Sequence, residues 1–364
     1  MSRLVAAGAV LALALAGCTP APPRPTAPPG SAPGVPSGSA AASESPSAGP
    51  RTLVTGLDVP WDLAELPDDS LLMTLRDRAE LVRVDAAGGE PAVVATVDGV
   101  VPGGEGGLLG IALSPEFAQD QLIYLYYTAA EDNRVVRFRY AGTGLDDPTP
   151  IVTGIPKAGN HNGGRLRFGP DGKLYIGTGD AGRSGSSQDR ASLGGKILRV
   201  EPDGSTPRDN PFGNAVYSYG HRNVQGLGWD ASGTMYASEF GQNTWDELNV
   251  ITRGANYGWP QTEGDTDASG VTPPELVWRT SEASPSGIAV DPNGVVYLAA
   301  LRGERVWRTS REAGGMSEPE VFLDGYGRIR EVAILGDELL VLTNNTSRGT
   351  PRDGDDRLFA VPLR

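Results

Sequence analysis

Apolar residues in this chain fall in short runs, each introduced by a polar turn. "PDDSLLMTLRD" begins at residue 67, "PEFAQDQLIYLYYTA" at 115 and "GPDGKLYIGTGD" at 169. "DASGTMYASEFG" follows at 230, "DPNGVVYLAALRG" at 291 and "LGDELLVLTNN" at 335. In each, Asp, Gly or Asn leads into a β-rich strand, the pattern of a hairpin. After residue 50 no long stretch carries apolar residues at helical spacing. The six units recur roughly every 45–60 residues, a period that predicts a β-propeller. A pair of β-sandwiches would not produce that period. The expectation is one all-β domain over 51–364, a six-bladed β-propeller. Loops from every blade of such a fold converge on one face, so functional residues should lie in loops scattered along the chain.

Ahead of residue 51 the pattern changes. Arg3 precedes a small, apolar stretch over 4–16, which ends in Leu15-Ala16-Gly17-Cys18. This is too short for a membrane-spanning helix and reads as a secretory signal over 1–18. The small residues before Cys18 resemble a bacterial lipobox, whose cysteine is lipidated; an ordinary signal with an incidental cysteine is the alternative. Cys18 is the only cysteine, so no internal disulfide is possible. Residues 19–50 hold ten prolines and a single large aliphatic, Val35, a composition expected of a disordered tether. The expected location is extracytoplasmic, with a lipid anchor to the bacterial cell membrane.

Charge narrows the partners. Residues 51–364 carry 29 basic and 44 acidic side chains, with Lys157, Lys173 and Lys196 the only lysines. A surface this acidic does not suit nucleic acid and does suit small neutral substrates or cations.

Candidate chemistry sits in five loops. "PGGEGGLLGIALSPEF" (102–117) presents Glu105 among glycines that permit close backbone approach, or is a glycine-rich crossover with a solvated Glu. "NHNGGR" holds His161, one of two histidines, and a strand after it ends in Asp180. An imidazole suits general-base work, and a carboxylate can orient it; a solvent-exposed turn histidine is the plain alternative. "YSYGHRNVQGLGWD" (217–230) contains His221, Arg222 and Asn223; the Arg fork suits a carboxylate or developing oxyanion, or belongs to a buried structural network. "SEFGQNTWDELNVITRGANYGWP" (238–260) is rich in the oxygen donors and turns that Ca²⁺ favours, without the spacing of an EF-hand. In "GYGRIREV", Arg328 and Arg330 lie two apart, on one side of a strand, as a clamp for a polyanion or as a solvated pair.

Taken together and in order, "GGEGGLLGIALSPEF", "HNGGRLRFGPDGKLYIGTGDAG", "LGGKILRVEPDGSTPRDNPF", "YGHRNVQGL", "GQNTWDELNVITRGANYGWP" and "GRIREV" resemble the soluble quinoprotein glucose/sorbosone dehydrogenase family, in particular its aldose sugar dehydrogenase branch. The resemblance covers nearly all of 51–364 and implies a six-bladed propeller. It implies oxidation of aldoses at C1 to lactones with pyrroloquinoline quinone (PQQ) and Ca²⁺. By position, His161 resembles the catalytic base, Asp180 its partner, and Arg222 and Asn223 the pair facing the quinone. Arg328 and Arg330 resemble the arginines on the PQQ carboxylates. Gly241 and Gln242 match the carbonyls that hold the cofactor's Ca²⁺, and Asp246, Glu247, Tyr257 and Glu263 match additional Ca²⁺ ligands. Glu105 stands beside cofactor and base where the family usually has Gln. Arg302 stands where it usually has Lys. Residues 280–282 offer no evident counterpart of a cofactor-contacting Trp and Thr.

The reading is therefore a PQQ- and Ca²⁺-dependent aldose dehydrogenase with an unassigned electron acceptor. The alternatives are a sugar- or calcium-binding propeller that has lost PQQ, motivated by Glu105 and Arg302, and a metal-dependent lactonase.

Overall fold

The structure, a computed structural model, describes residues 49–363 apart from Ala86. The signal and lipobox readings of 1–18, Cys18 included, and all but the last two residues of the tether lie outside the described residues.

Six antiparallel sheets form the blades of a propeller, as the period predicts. Blade one runs Pro60–Glu65, Leu71–Leu75, Glu80–Val84 and Ala92–Thr96 from the channel outward. The innermost strands of blades two to six are Leu108–Leu113, Leu166–Phe168, Val224–Trp229, Pro285–Val290 and Ile329–Leu335. Each apolar run seen in the sequence is the second strand of its blade: Leu71–Leu75, Leu122–Thr128, Leu174–Gly177, Met235–Glu239, Val295–Ala300 and Glu338–Thr343. The polar residues before it make the turn from the innermost strand, and in blade two that turn includes a single helical turn, Phe117–Asp120.

Closure of the ring is not visible in the repeat. The N-terminal strand Arg51–Val54 pairs with the C-terminal strand Leu358–Pro362, placing Thr52 opposite Phe359, and so forms the outer edge of blade six. This seam ties both ends of the domain into one sheet. Between the blades, each of the six interfaces has its own apolar cluster. One example is Tyr124 and Tyr126 of blade two against Leu166 and Ile176 of blade three; another is Tyr297 of blade five against Val341 and Phe359 of blade six.

The channel is closed by charge. Arg165, fully buried, ion-pairs Asp62 at 2.5 Å and Glu331, and its Nε donates to the Gln225 carbonyl at 2.7 Å. Arg167, one turn of the pleat away, pairs the same two carboxylates at 3.1 and 3.2 Å. Trp61 lies over Arg165, 4.5 Å from its guanidinium carbon, with Arg330 at 5.9 Å from the same ring. This stack forms the floor of the site described next.

Candidate active site

One cavity of about 310 Å³ opens at the end of the channel, lined by loops from different blades. On one wall stands His161. Its Nδ1 is 2.7 Å from Asp180 Oδ1, which leaves Nε2 for a ligand, and its side chain is 12% exposed. Its backbone sits in the left-handed region, φ 54°, a conformation that costs a non-glycine residue of order 1 kcal/mol. Two hydrogen bonds hold it there: its N–H donates to Glu105 Oε2 at 2.9 Å and its carbonyl accepts from Ala181 at 3.1 Å. Gly179 is required behind it, because a Cβ there would lie 1.9 Å from the His161 carbonyl oxygen.

Asp180 is buried and saturated. It also accepts from Trp259 Nε1 at 2.9 Å and from the Gly182 N–H at 2.7 Å. Burial works to raise its pKa; the bonds from His161, Trp259 and Gly182 outweigh it and hold the carboxyl below the ordinary Asp value. With the folded-state pKa depressed, the stabilisation from its charge is present above the ordinary value and lost as pH falls through the folded one. Asp180→Asn should therefore cost about 1–3 kcal/mol at neutral pH, with the difference from wild type shrinking in acid; thermal melts across pH would read this.

Guanidinium groups dominate the remainder. Arg76, Arg222, Arg302, Arg328, Arg330 and Arg348 all line the cavity. Arg76 is paired with Asp77 at 2.6 Å. Arg222 spans Gln242 Oε1, at 2.9 Å from Nε and 2.7 Å from a terminal nitrogen, and the Phe240 carbonyl at 3.2 Å. Arg330, also buried, has neutral acceptors only: Gln225 at 2.8 Å, Asn344 at 3.0 Å and Ser286 at 3.2 Å. Among the described residues no carboxylate lies within ion-pair distance of Arg302, Arg328 or Arg330, and the buried Nε atoms of Arg328 and Arg330 lack a partner. Burial, followed by the charges of Arg76 and Arg328, drives the Arg330 pKa well below the usual guanidinium range. Such a cluster fits a polyanion that supplies the missing charge.

A smaller cavity lies behind this one, lined by Glu239, Glu247, Tyr257, Trp259 and Glu263 among others. Glu239 and Glu247 face each other across two strands. Burial, then the charge of Glu239, pushes Glu247 up to about 8. Arg222 also lines this cavity, and both oxygens of Glu239 are engaged, by His221 Nδ1 and the Arg222 N–H; the Glu247 carboxyl abutting it is the group suited to a cation.

The glucose/sorbosone dehydrogenase profile matches residues 57–351. The chain belongs to the glucose/sorbosone dehydrogenase family. It is 35% identical over 331 residues to the aldose sugar dehydrogenase YliI of Escherichia coli, covering 80% of this chain and 89% of that one. It is 33% identical over 257 residues to quinoprotein glucose dehydrogenase B of Acinetobacter calcoaceticus, covering 60% of this chain and 54% of that protein. A PQQ-bound aldose sugar dehydrogenase from Streptomyces coelicolor superimposes with a TM-score of 0.83 at 53% identity, covering 85% of this chain and 96% of that one.

Within this family member the expected residues divide. His161, Glu105, Arg222, Asn223, Gly241, Gln242, Asp246, Arg302, Arg328 and Arg330 line the main cavity, with Asp180 directly behind His161. The strand expected to end in Asp180 stops at Gly177, and Asp180 lies in the loop beyond it. Glu105 does not stand free at the cofactor side: Arg348 neutralises it at 2.9 Å while its other oxygen holds the His161 backbone. Of the four residues matched to additional Ca²⁺ ligands, Glu247, Tyr257 and Glu263 line the rear cavity together, whereas Asp246, adjacent to Glu247 on one strand, points the opposite way. Asp246 faces the main cavity and accepts from Gly241 at 2.9 Å and Ser284 at 2.6 Å, burial pushing it up to about 6. The Tyr257 hydroxyl is spent on the Val250 carbonyl at 2.7 Å, and Glu263 Oε1 accepts four successive backbone N–H groups from Gln242 to Trp245. Among the described residues no group of three or more His, Cys, Asp or Glu side chains makes a metal site.

His221 is structural. Its ring bonds Glu239 at 2.7 Å and Ser218 at 2.8 Å, stacks on Tyr257 at 4.6 Å and reaches neither cavity. Thr280 lines the main cavity, and the aromatic wall comes from Trp61 and Phe240. Trp61 and Arg348 lie outside every motif, with "PWD" at 60–62, an aromatic beside a buried Asp on an inner strand, as the hint for the first; Gln225 lies within "YGHRNVQGL" but was not singled out there.

Proposed function

We propose that this protein is an extracytoplasmic PQQ- and Ca²⁺-dependent aldose dehydrogenase, lipid-anchored through Cys18, that oxidises sugars at C1 to lactones. The observation that carries the proposal is the set of unpaired arginines, Arg302, Arg328 and Arg330, facing the His161–Asp180 pair across one cavity in an otherwise acidic protein. PQQ, a tricarboxylated quinone, would supply the two-electron acceptor for the C1 hydride. Arg328 and Arg330 would bind its carboxylates, with Arg302 at the rim. Arg222 and Asn223 would face the quinone oxygens, and the carbonyls of Gly241 and Gln242 would hold the Ca²⁺. Asp180, accepting from Nδ1–H, keeps His161 Nε2 free to take the C1 hydroxyl proton. Trp61 and Phe240, which line the cavity, would shield a bound ligand from water. Glu247 with Glu239, and the carbonyl side of Tyr257, would hold a structural Ca²⁺, with Glu263 and Asp246 ordering the loop between the two ion sites.

The neutralised Glu105 weakens the case for a binding-only propeller. Guanidinium groups around the cavity suit a lactonase metal poorly. The test is titration of chelator-treated protein with PQQ and excess Ca²⁺, followed by an aldose panel with an artificial electron acceptor. Ca²⁺-dependent uptake at one equivalent and sugar-driven reduction are expected; absence of uptake would overturn the proposal. Arg328→Ala should separate binding from folding. Burial and the charge of Arg348 already pull the Arg328 pKa down. Its removal should leave the cofactor-free melting temperature unchanged or higher, while PQQ affinity falls about 10–100-fold.

A further inference from the structure

The base and the arginine opposite it are joined by a residue that touches neither substrate space nor the main cavity. Trp259 lies in the wall of the small rear cavity. Its Nε1–H donates to Asp180 Oδ2 at 2.9 Å, on the oxygen that His161 does not use. Its ring lies 5.6 Å from the Arg222 guanidinium carbon. One rigid indole therefore meets both halves of the site.

Trp259 is itself fixed on several sides. Its N–H donates to the Gly220 carbonyl at 2.9 Å, and its carbonyl accepts from Gln188 Nε2 at 2.8 Å. Gln188 and Asn256 exchange amide bonds of 2.9 and 3.1 Å, which ties the approach to Trp259 onto the loop after Asp180. The Thr262 N–H closes the turn behind it on the Gly258 carbonyl at 3.0 Å. This is more constraint than an aromatic on a half-buried loop needs for packing alone.

We propose that Trp259 is a positioning residue for the reaction assigned above, setting the His161 ring through Asp180 and seating Arg222 on its face; this rests on the dehydrogenase reading. The carboxylate of Asp180 has two oxygens to align. With Oδ2 fixed by the indole and Oδ1 by Gly182, the group cannot rotate, so the Nδ1–H tautomer of His161 is the one that finds its acceptor. The other charged groups facing this pair are Glu105 on the His161 backbone, Arg348 beyond it and Arg222 across the cavity. None of them offers Asp180 a replacement N–H on Oδ2.

Two variants separate the indole's two contacts. Trp259→Phe keeps a ring beside Arg222 and removes the N–H; Trp259→Leu removes both. The first readout is ¹⁵N NMR of the histidine ring nitrogens in the cofactor-free protein. Wild type should show His161 as one tautomer, protonated at Nδ1, and Trp259→Phe should show a mixture. The second readout is steady-state kinetics of the PQQ- and Ca²⁺-loaded protein. Trp259→Phe should lower kcat about ten-fold with KM unchanged, and Trp259→Leu should in addition weaken PQQ binding. A Trp259→Phe protein with the wild-type tautomer and wild-type kcat would overturn the inference, and that variant decides even if Trp259→Leu does not fold. A tautomer change in a protein whose wild type oxidises no aldose would leave the positioning role standing and sink the dehydrogenase reading alone.

Discussion

His161→Ala should lower kcat for aldose oxidation by about 10²–10⁴-fold, the usual contribution of a positioned general base. PQQ uptake and the melting temperature should hardly move. The imidazole is on the cavity wall and takes no part in the blade cores, so its truncation opens no packing defect. Alanine keeps the backbone N–H that Glu105 accepts, so the loop retains its anchor at 2.9 Å. It cannot keep the proton acceptor. The variant does leave Asp180 with two donors, Trp259 and Gly182, so no buried charge is stranded. Single-turnover measurement with saturating PQQ, Ca²⁺ and sugar gives the chemical step directly. A kcat within three-fold of wild type would remove His161 from the base role. A lost melting transition would show that the imidazole is structural.

The fold was legible for a definite reason: each inner hairpin needs a tight polar turn and a fully buried second strand, and both leave a mark on composition. The ring closure was not, because Arg51–Val54 is a short strand of ordinary composition whose partner lies at the other end of the chain. The candidate site shows the same division. His161, Asp180, Arg222, Arg328 and Arg330 sit within glycine-rich or otherwise distinctive segments, so they could be picked out along the chain. Trp61 and Arg348 reach the cavity only through the third dimension. The Ca²⁺ ligand reading groups Asp246 with Glu247 as neighbours in one oxygen-rich segment. The structure places both on the strand Trp245–Ile251, where neighbours face opposite sides. The partner of Glu105, Arg348, left no trace in the sequence because it is 243 residues away.

Arg165→Met should be the most destabilising single change in the channel, by about 3–5 kcal/mol. Asp62 and Glu331 have no exposed surface, and Arg165 is their fully buried counter-ion. Arg167 pairs both as well, but at 3.1 and 3.2 Å and with 24% of its side chain exposed. It should not compensate, so the variant strands one net negative charge where water cannot reach. At about 2 °C per kcal/mol for a large domain, the melting temperature should fall by roughly 6–10 °C. Arg167→Met leaves the better-placed cation and should cost less than half of this. Replacing Arg165 and Glu331 together by apolar residues leaves Asp62 paired with Arg167 and no net charge, and that double variant should recover most of the loss. Equal melting temperatures for wild type and Arg165→Met would show that the pairs contribute nothing. The consequence reaches the cavity as well. Trp61 is held between Arg165 and Arg330, so loss of the lower guanidinium frees the indole that floors the ligand space. PQQ affinity of Arg165→Met should therefore fall even at temperatures where the propeller remains folded, which distinguishes a charged plug that shapes the site from one that only closes the channel.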